Sequence, residues 1–135
     1  MTLTYAWRAA FTTAELSALH EASFGGTPDA CDWWAKVNAH SLGWVVARGP
    51  AGDLAGFVNV AWDGGGHAFI LDTMVAAAFG RAGAGTRLVA RAAEGARANG
   101  CRWLHVDFEE HLAPFYLEAC GFTPTPAGLI SLGPV

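Results

Sequence analysis

The sequence predicts a mixed α+β or α/β fold, a mostly antiparallel twisted sheet of about six strands flanked by about four helices. Three observations predict it. Stretches rich in β-branched and aromatic residues alternate with amphipathic helical stretches. Three of the strands follow one another across short glycine-bearing loops, "GPAGD" and "DGGG", which makes them antiparallel. The length of 135 residues, 53% of them hydrophobic, suits one domain with one core, spanning residues 1–135.

The elements follow in order. "LTYAW" reads as a short strand, and "TTAELSALHEASF" as a helix in which Thr12 and Glu15 have capping-box spacing and Leu16, Leu19 and Ala22 or Ser23 share a face. "TPDACDWWAKVNAH" predicts a second helix with Thr27 as cap and Pro28 at its first position. "LGWVVAR", "LAGFVNVAW" and "HAFILDTMV" are the three antiparallel strands. "GAGTRLVARAAEGARANG" predicts a helix with Leu88, Val89, Ala92, Ala93 and Ala96 inward and Gly100 at its C-terminal end. "RWLHVDF" is expected as a strand, "HLAPFYLEA" as a short helix and "GLISL" as a last strand, for an order of β-α-α-β-β-β-α-β-α-β.

Charge narrows the partners. Eight Lys+Arg stand against 12 Asp+Glu, a net charge of -4, so no positive field attracts a phosphate backbone and no nucleic acid partner is expected. The N-terminus lacks the apolar core of a signal peptide, and no apolar run nears the ~18 residues of a membrane span. A cytoplasmic chain without membrane contact is expected. Cys31, Cys101 and Cys120 have neither disulfide-framework nor C-x-x-C spacing, and read as buried small hydrophobes.

"VAAAFGRAGAGTRLV" carries the strongest chemical signal. Its glycines lie where a strand ends at Val75 and a helix begins near Gly83, so the free amides of the first helical turn converge beside a loop without side-chain bulk. Such a terminus binds anions, and Gly83 and Gly85 let a pyrophosphate approach the main chain, with Arg81 and Arg87 as added charge. A P-loop needs Lys then Ser or Thr after its second glycine, but Thr86 and Arg87 stand in the wrong order. A Rossmann fingerprint would want glycine where Leu88 stands, in a longer chain.

"LDTMV", four residues, then "GRAGAGTRLV", then a strand and "PFYLEACGF", resembles the GNAT superfamily of acyl-CoA-dependent N-acyltransferases over about residues 54–124. The family loop Q/R-x-x-G-x-G/A falls on Gly80–Gly85: Gly83 and Gly85 match, while Gly80 replaces the usual Gln or Arg and Arg81 stands one position later. The family motif of Tyr, three residues, then Gly-Phe is also shifted, since four residues separate Tyr116 from Gly121. An extra residue absorbed within the helix is the expectation.

The resemblance implies an acetyltransferase that uses acetyl-CoA as donor and a primary amine, a small molecule of unidentified kind, as acceptor. It implies that Arg81, Ala82, Gly83, Ala84, Gly85 and Thr86 hold the pyrophosphate, and that backbone groups of Thr73, Met74 and Val75 pair with the pantetheine arm. It also implies that Tyr116 is the general acid near the sulfur. For the base, strict strand alternation puts His67, Phe69, Leu71 and Thr73 on one face, with His67 its ionisable member and Asp72 opposite. Asp107 and Glu109 are alternative bases. Phe24, Trp33, Trp34, Asn59 and Trp62 are acceptor candidates by position, and a monomer or homodimer is expected.

Two further readings stand beside this one. His105, Asp107, Glu109 and His111 alternate with apolar residues in "HVDFEEH", which would line up four metal ligands if the strand ran that far; this defines a metal-dependent enzyme or metal-binding module. The replaced residue at Gly80 allows a domain of the same fold that binds acyl-CoA without catalysis.

Overall fold

Thr12 opens helix α1 (Thr13–Phe24) with the expected capping box: its side chain accepts from the Glu15 amide while Glu15 reaches back to the Thr12 amide at 2.8 Å. The computed structural model describes residues 2–26, 30–80 and 83–134. Strand β1 (Thr4–Trp7) precedes α1, and α2 (Trp33–His40) follows it. The cap of α2 is Asp32, which accepts from the Ala35 amide and from the Thr13 hydroxyl and so ties the two helices together. The helix therefore starts later than predicted, and the expected cap at Thr27 and Pro28 lies outside the described residues.

The sheet continues through β2 (Ser41–Arg48), β3 (Leu54–Trp62), β4 (His67–Val75) and β5 (Trp103–His105), in spatial order β1-β2-β3-β4-β5. The first four strands are antiparallel and β5 is parallel to β4, because α3 (Ala84–Ala98) crosses between them. Among the described residues five strands form rather than about six. "RWLHVDF" is paired only over Trp103–His105, and "GLISL" forms no strand.

Each sheet face has its own core. Val45, Val58, Val60, Ala68 and Ile70 pack under α3 through Leu88, Ala92 and Ala96. On the other face Trp44, Val46, Phe57 and Met74 meet Leu16, Leu19, Trp33 and Val37 of α1 and α2. Small residues bring α3 close to the sheet. The Trp7 indole lies in that contact, and a Cβ on Gly95 would fall 2.5 Å from its ring. The cysteines are half-buried rather than buried, and desolvation pushes the Cys101 and Cys120 thiols up.

Candidate active site

A β-bulge in β4 organises the site. Asn59 pairs with Leu71 and Phe57 with Met74, so Val58 alone faces two residues, Asp72 and Thr73. Asp72 takes φ +55, a left-handed conformation that costs energy in a non-glycine residue and persists only where the surroundings impose it. One extra residue reverses the alternation beyond it. Asp72 thus turns to the α1/α2 face, where its carboxylate accepts from Asn59 Nδ2 at 3.2 Å, and Asn59 Oδ1 accepts from the Ser41 hydroxyl at 2.6 Å. Thr73 turns to the α3 face, so the predicted sharing of one face by His67 and Thr73, with Asp72 opposite, is corrected. Sequence alternation carries no signal for such a bulge.

The Asn59 side chain is buried, at 3% exposure. A buried amide bonded on both ends specifies a geometry, here that of the Asp72 carboxylate.

On the α3 face, Thr73 and Val75 line a cavity of about 330 Å³ with Gly80, Gly83, Gly85 and Thr86. Leu112, Phe115 and Tyr116 close it from the C-terminal side. Gly83 is the N-cap of α3 with φ +75, a conformation that suits glycine. The first helical bond runs from the Arg87 amide to the Gly83 carbonyl at 3.2 Å, so the amides of Ala84, Gly85 and Thr86 have no partner within the helix. The Thr73 hydroxyl is buried without a hydrogen-bond partner among the described residues. Free amides and an unpaired buried hydroxyl in one cavity fit an anionic, hydrogen-bonding ligand such as a pyrophosphate with its amide-bearing arm. Gly85 has a second role: a Cβ there would lie 3.0 Å from the Phe115 ring, so the glycine admits Phe115 against the first turn of α3.

Gly80 is in right-handed helical conformation, and a Cβ on it would meet only the Ala77 carbonyl at 3.5 Å. The backbone therefore does not require glycine at the position of the family's Gln or Arg. Arg81 and Ala82, expected in the loop, lie outside the described residues.

Tyr116 reaches the cavity from a π-helical turn, Pro114–Ala119. The Cys120 amide donates to the Phe115 carbonyl five residues back, which accommodates one residue more than an α-turn does. The extra residue of "FYLEACGF" is absorbed in this way. The Tyr116 ring is 7% exposed, stacked on Phe108 at 5.0 Å and edge-on to Phe115 and Phe122.

The remaining candidates lie elsewhere. His67, at the start of β4, is exposed and hydrogen-bonded through Nδ1 to His105 Nε2 at 2.8 Å. Five residues separate it from Thr73, on the order of 15–20 Å along a strand. Pairing of β4 with β5 ends at Phe69 and His105, and the strands then part, so Asp107, Glu109 and His111 do not continue one strand face. Glu109 instead meets His111 at 3.5 Å on a 3₁₀ turn, Glu110–Leu112. Among the described residues no three His, Cys, Asp or Glu side chains are placed to hold a metal ion, which removes the geometric basis of the metal reading. Trp33 is a core residue at 2% exposure, Trp34 packs on Phe11 and Trp44, and Trp62 packs on the α3-side core; Phe24 is exposed beside His20.

Comparison with known proteins bears on the fold. The model of the acetyltransferase (GNAT) family matches residues 4–122, and the chain belongs to that family. No curated protein matches in sequence. Among solved structures, a GNAT-family acetyltransferase from Streptococcus pneumoniae TIGR4 is 20% identical with TM-score 0.78, covering 98% of both chains. The structure of AAC(6')-Iy in complex with a bisubstrate analogue, CoA-S-monomethyl-acetylneamine, is 17% identical with TM-score 0.79 over 100% of both chains. Glucosamine-6-phosphate N-acetyltransferase from Arabidopsis thaliana is 17% identical with TM-score 0.75, covering 95% of this chain and 97% of that one. These likenesses are of fold. No helix among the described residues is long and apolar enough to cross a membrane.

Proposed function

We propose that the protein transfers an acetyl group from acetyl-CoA directly to a primary amine of a small molecule. The observation that carries this reading is the cavity where the free amides of α3 meet the unpaired Thr73 hydroxyl and the Tyr116 ring. Acetyl-CoA supplies the thioester that the amine attacks. The amides of Ala84, Gly85 and Thr86 bind the pyrophosphate, with Gly83, Arg81 and Ala82 completing the loop. Backbone groups of Thr73, Met74 and Val75 pair with the pantetheine arm along the part of β4 that β5 leaves open, and one of their N–H groups polarises the thioester oxygen.

Asp72 is the base this geometry favours. It adjoins Thr73 at the bulge, is aimed by Asn59 and Ser41, and takes a proton from the substrate ammonium to give the neutral amine that attacks, whereas His67 stands several residues down the strand. Asp107 and Glu109 are exposed and lack such fixing. As the C–N bond forms and the C–S bond breaks, the Tyr116 hydroxyl protonates the departing sulfur and regains its proton from water.

The test is release of the CoA thiol from acetyl-CoA with a panel of primary amines, alongside equilibrium binding of acetyl-CoA. Thiol release with an acetylated amine in the product supports the proposal. Tight acetyl-CoA binding without transfer to any amine favours a non-catalytic acyl-CoA-binding domain, and absence of acetyl-CoA binding overturns the reading.

A further inference from the structure

One strip of the sheet is bare on the α1/α2 side. His67, Phe69 and Leu71 of β4 face that side, because Ala68 and Ile70 between them enter the α3-side core. Asn59 and Ala61 of β3 stand opposite Leu71 and Phe69, and His105 of β5 stands beside Phe69. The core under α1 and α2 is built on Trp44, Val46, Phe57 and Met74, and it stops short of this strip. Phe69 and Leu71 keep 38% and 43% exposure, and large apolar side chains exposed side by side mark a binding surface.

The strip ends at the bulge. Leu71 is followed by Asp72, whose carboxylate is turned to the same side and held through Asn59 and Ser41. His105 stacks on the Phe69 ring at 4.7 Å with the planes 17° apart, and His67 holds His105 at 2.8 Å. On the other flank Ala61 offers only a methyl group, which leaves a slot beside the ring. A cleft of about 960 Å³ takes in Phe69, Leu71, His105 and, at the start of α3, Thr86, so a molecule on the strip and one held at α3 share one space.

From this arrangement we infer that the acceptor is an arylalkylamine, its ammonium at Asp72 and its ring over Leu71 and Phe69 in the slot above Ala61. The inference rests on the acetyltransferase reading and adds the class of acceptor to it. Three steps of strand lead from Phe69 to Asp72, roughly 10 Å, which suits a ring joined to the ammonium by about two to four carbons. The ammonium brings the charge that Asp72 requires. An apolar protein surface seated on the strip would bury that carboxylate without a counter-charge, which is costly. An amino sugar would find no side-chain partner for its hydroxyls along Phe69, Leu71 and Ala61. Phe69 and Leu71 thus determine specificity by holding the part of the acceptor that does not react. The ammonium and acetyl-CoA become the amide and the CoA thiol, and one proton leaves for solvent through Asp72.

Thiol release by the intact protein at saturating acetyl-CoA tests this, with 2-phenylethylamine and 4-phenylbutylamine set against glucosamine and spermidine. The aryl amines should react with kcat/KM at least about tenfold higher than the polar ones. Phe69→Ala should lower kcat/KM for the aryl amines about tenfold, chiefly through KM, with acetyl-CoA affinity retained. Ala61→Leu, which fills the slot and leaves the ring in place, should do the same, and both should keep the parent circular dichroism. Backbone amide resonances read binding without turnover: 2-phenylethylamine added to the CoA complex should shift Ala61, Phe69 and Leu71. Preference for the polar amines, aryl-amine kinetics that both variants leave unchanged, or shifts confined to other residues would overturn the inference while the acetyltransferase reading stands. Absence of thiol release with every amine would overturn both.

Discussion

The Cys120 amide donates to the Phe115 carbonyl across 2.9 Å, and this five-residue step keeps Tyr116 facing the cavity although its motif is one residue too long. An α-helical path would turn the ring by about a hundred degrees per added residue. Replacement of Tyr116 by Phe keeps the packing on Phe108, Phe115 and Phe122 and removes only the proton. Turnover should fall by roughly the 10²–10⁴-fold typical of a lost general acid, while acetyl-CoA affinity changes little. Turnover within a few-fold of the parent would return Tyr116 to a packing role.

The two loop glycines should fail for different reasons. Gly83→Val forces a β-branched residue to φ +75 at the cap of α3, whereas Gly85→Val drives a side chain into the Phe115 ring. Each should weaken acetyl-CoA binding at least about tenfold, or ~1.4 kcal/mol, by calorimetry, with circular dichroism retained. Unchanged affinity in both variants would remove the pyrophosphate from this loop.

Asp72→Asn should preserve the hydrogen bond to Asn59 and lose the proton acceptor. Transfer to the amine is expected to drop by about 10²–10⁴-fold with acetyl-CoA binding intact. Asn59→Ala should act less strongly, through a misdirected carboxylate. If His67→Gln instead abolishes transfer and Asp72→Asn does not, the base lies at the start of β4.

Trp7 fills the space that Gly95 leaves between α3 and the sheet. Gly95→Val cannot be accommodated by a rigid indole and should destabilise the fold by about 1–3 kcal/mol in denaturant unfolding. Trp7→Leu in the same background should recover part of the loss, since the two changes share one contact.

Acid should dissolve one specific link. Arg48 holds both oxygens of Glu15, at 2.7 and 2.8 Å, and its hydrogen bond keeps the Glu15 carboxyl below the usual carboxylate range. A depressed acid contributes stability fully above its unfolded pKa, about 4.3, and loses it as pH falls through the lower folded value. Arg48→Met should therefore cost about 1 kcal/mol near neutral pH, with the difference from the parent shrinking steadily below about pH 4. A difference that is constant with pH would assign the loss to packing instead.

The sequence by itself determined the helix cap at Thr12, the start of α3 near Gly83, the three antiparallel strands and the inward face of α3. Each of these rests on local chemistry: hydrogen bonds between neighbours in sequence, glycine conformations, and a period of two or of 3.6 residues. Tertiary structure decided the rest. The bulge that exchanges the faces of Asp72 and Thr73 exists because β3 and β4 differ by one residue in register, which neither strand's own pattern records. Trp33 was drawn into the core by Val37 and Phe57, although its neighbour Trp34 has the same intrinsic polarity. "GLISL" has the pattern of a strand but forms none, because a strand is a relation between two segments, and a pattern in one of them cannot supply the other.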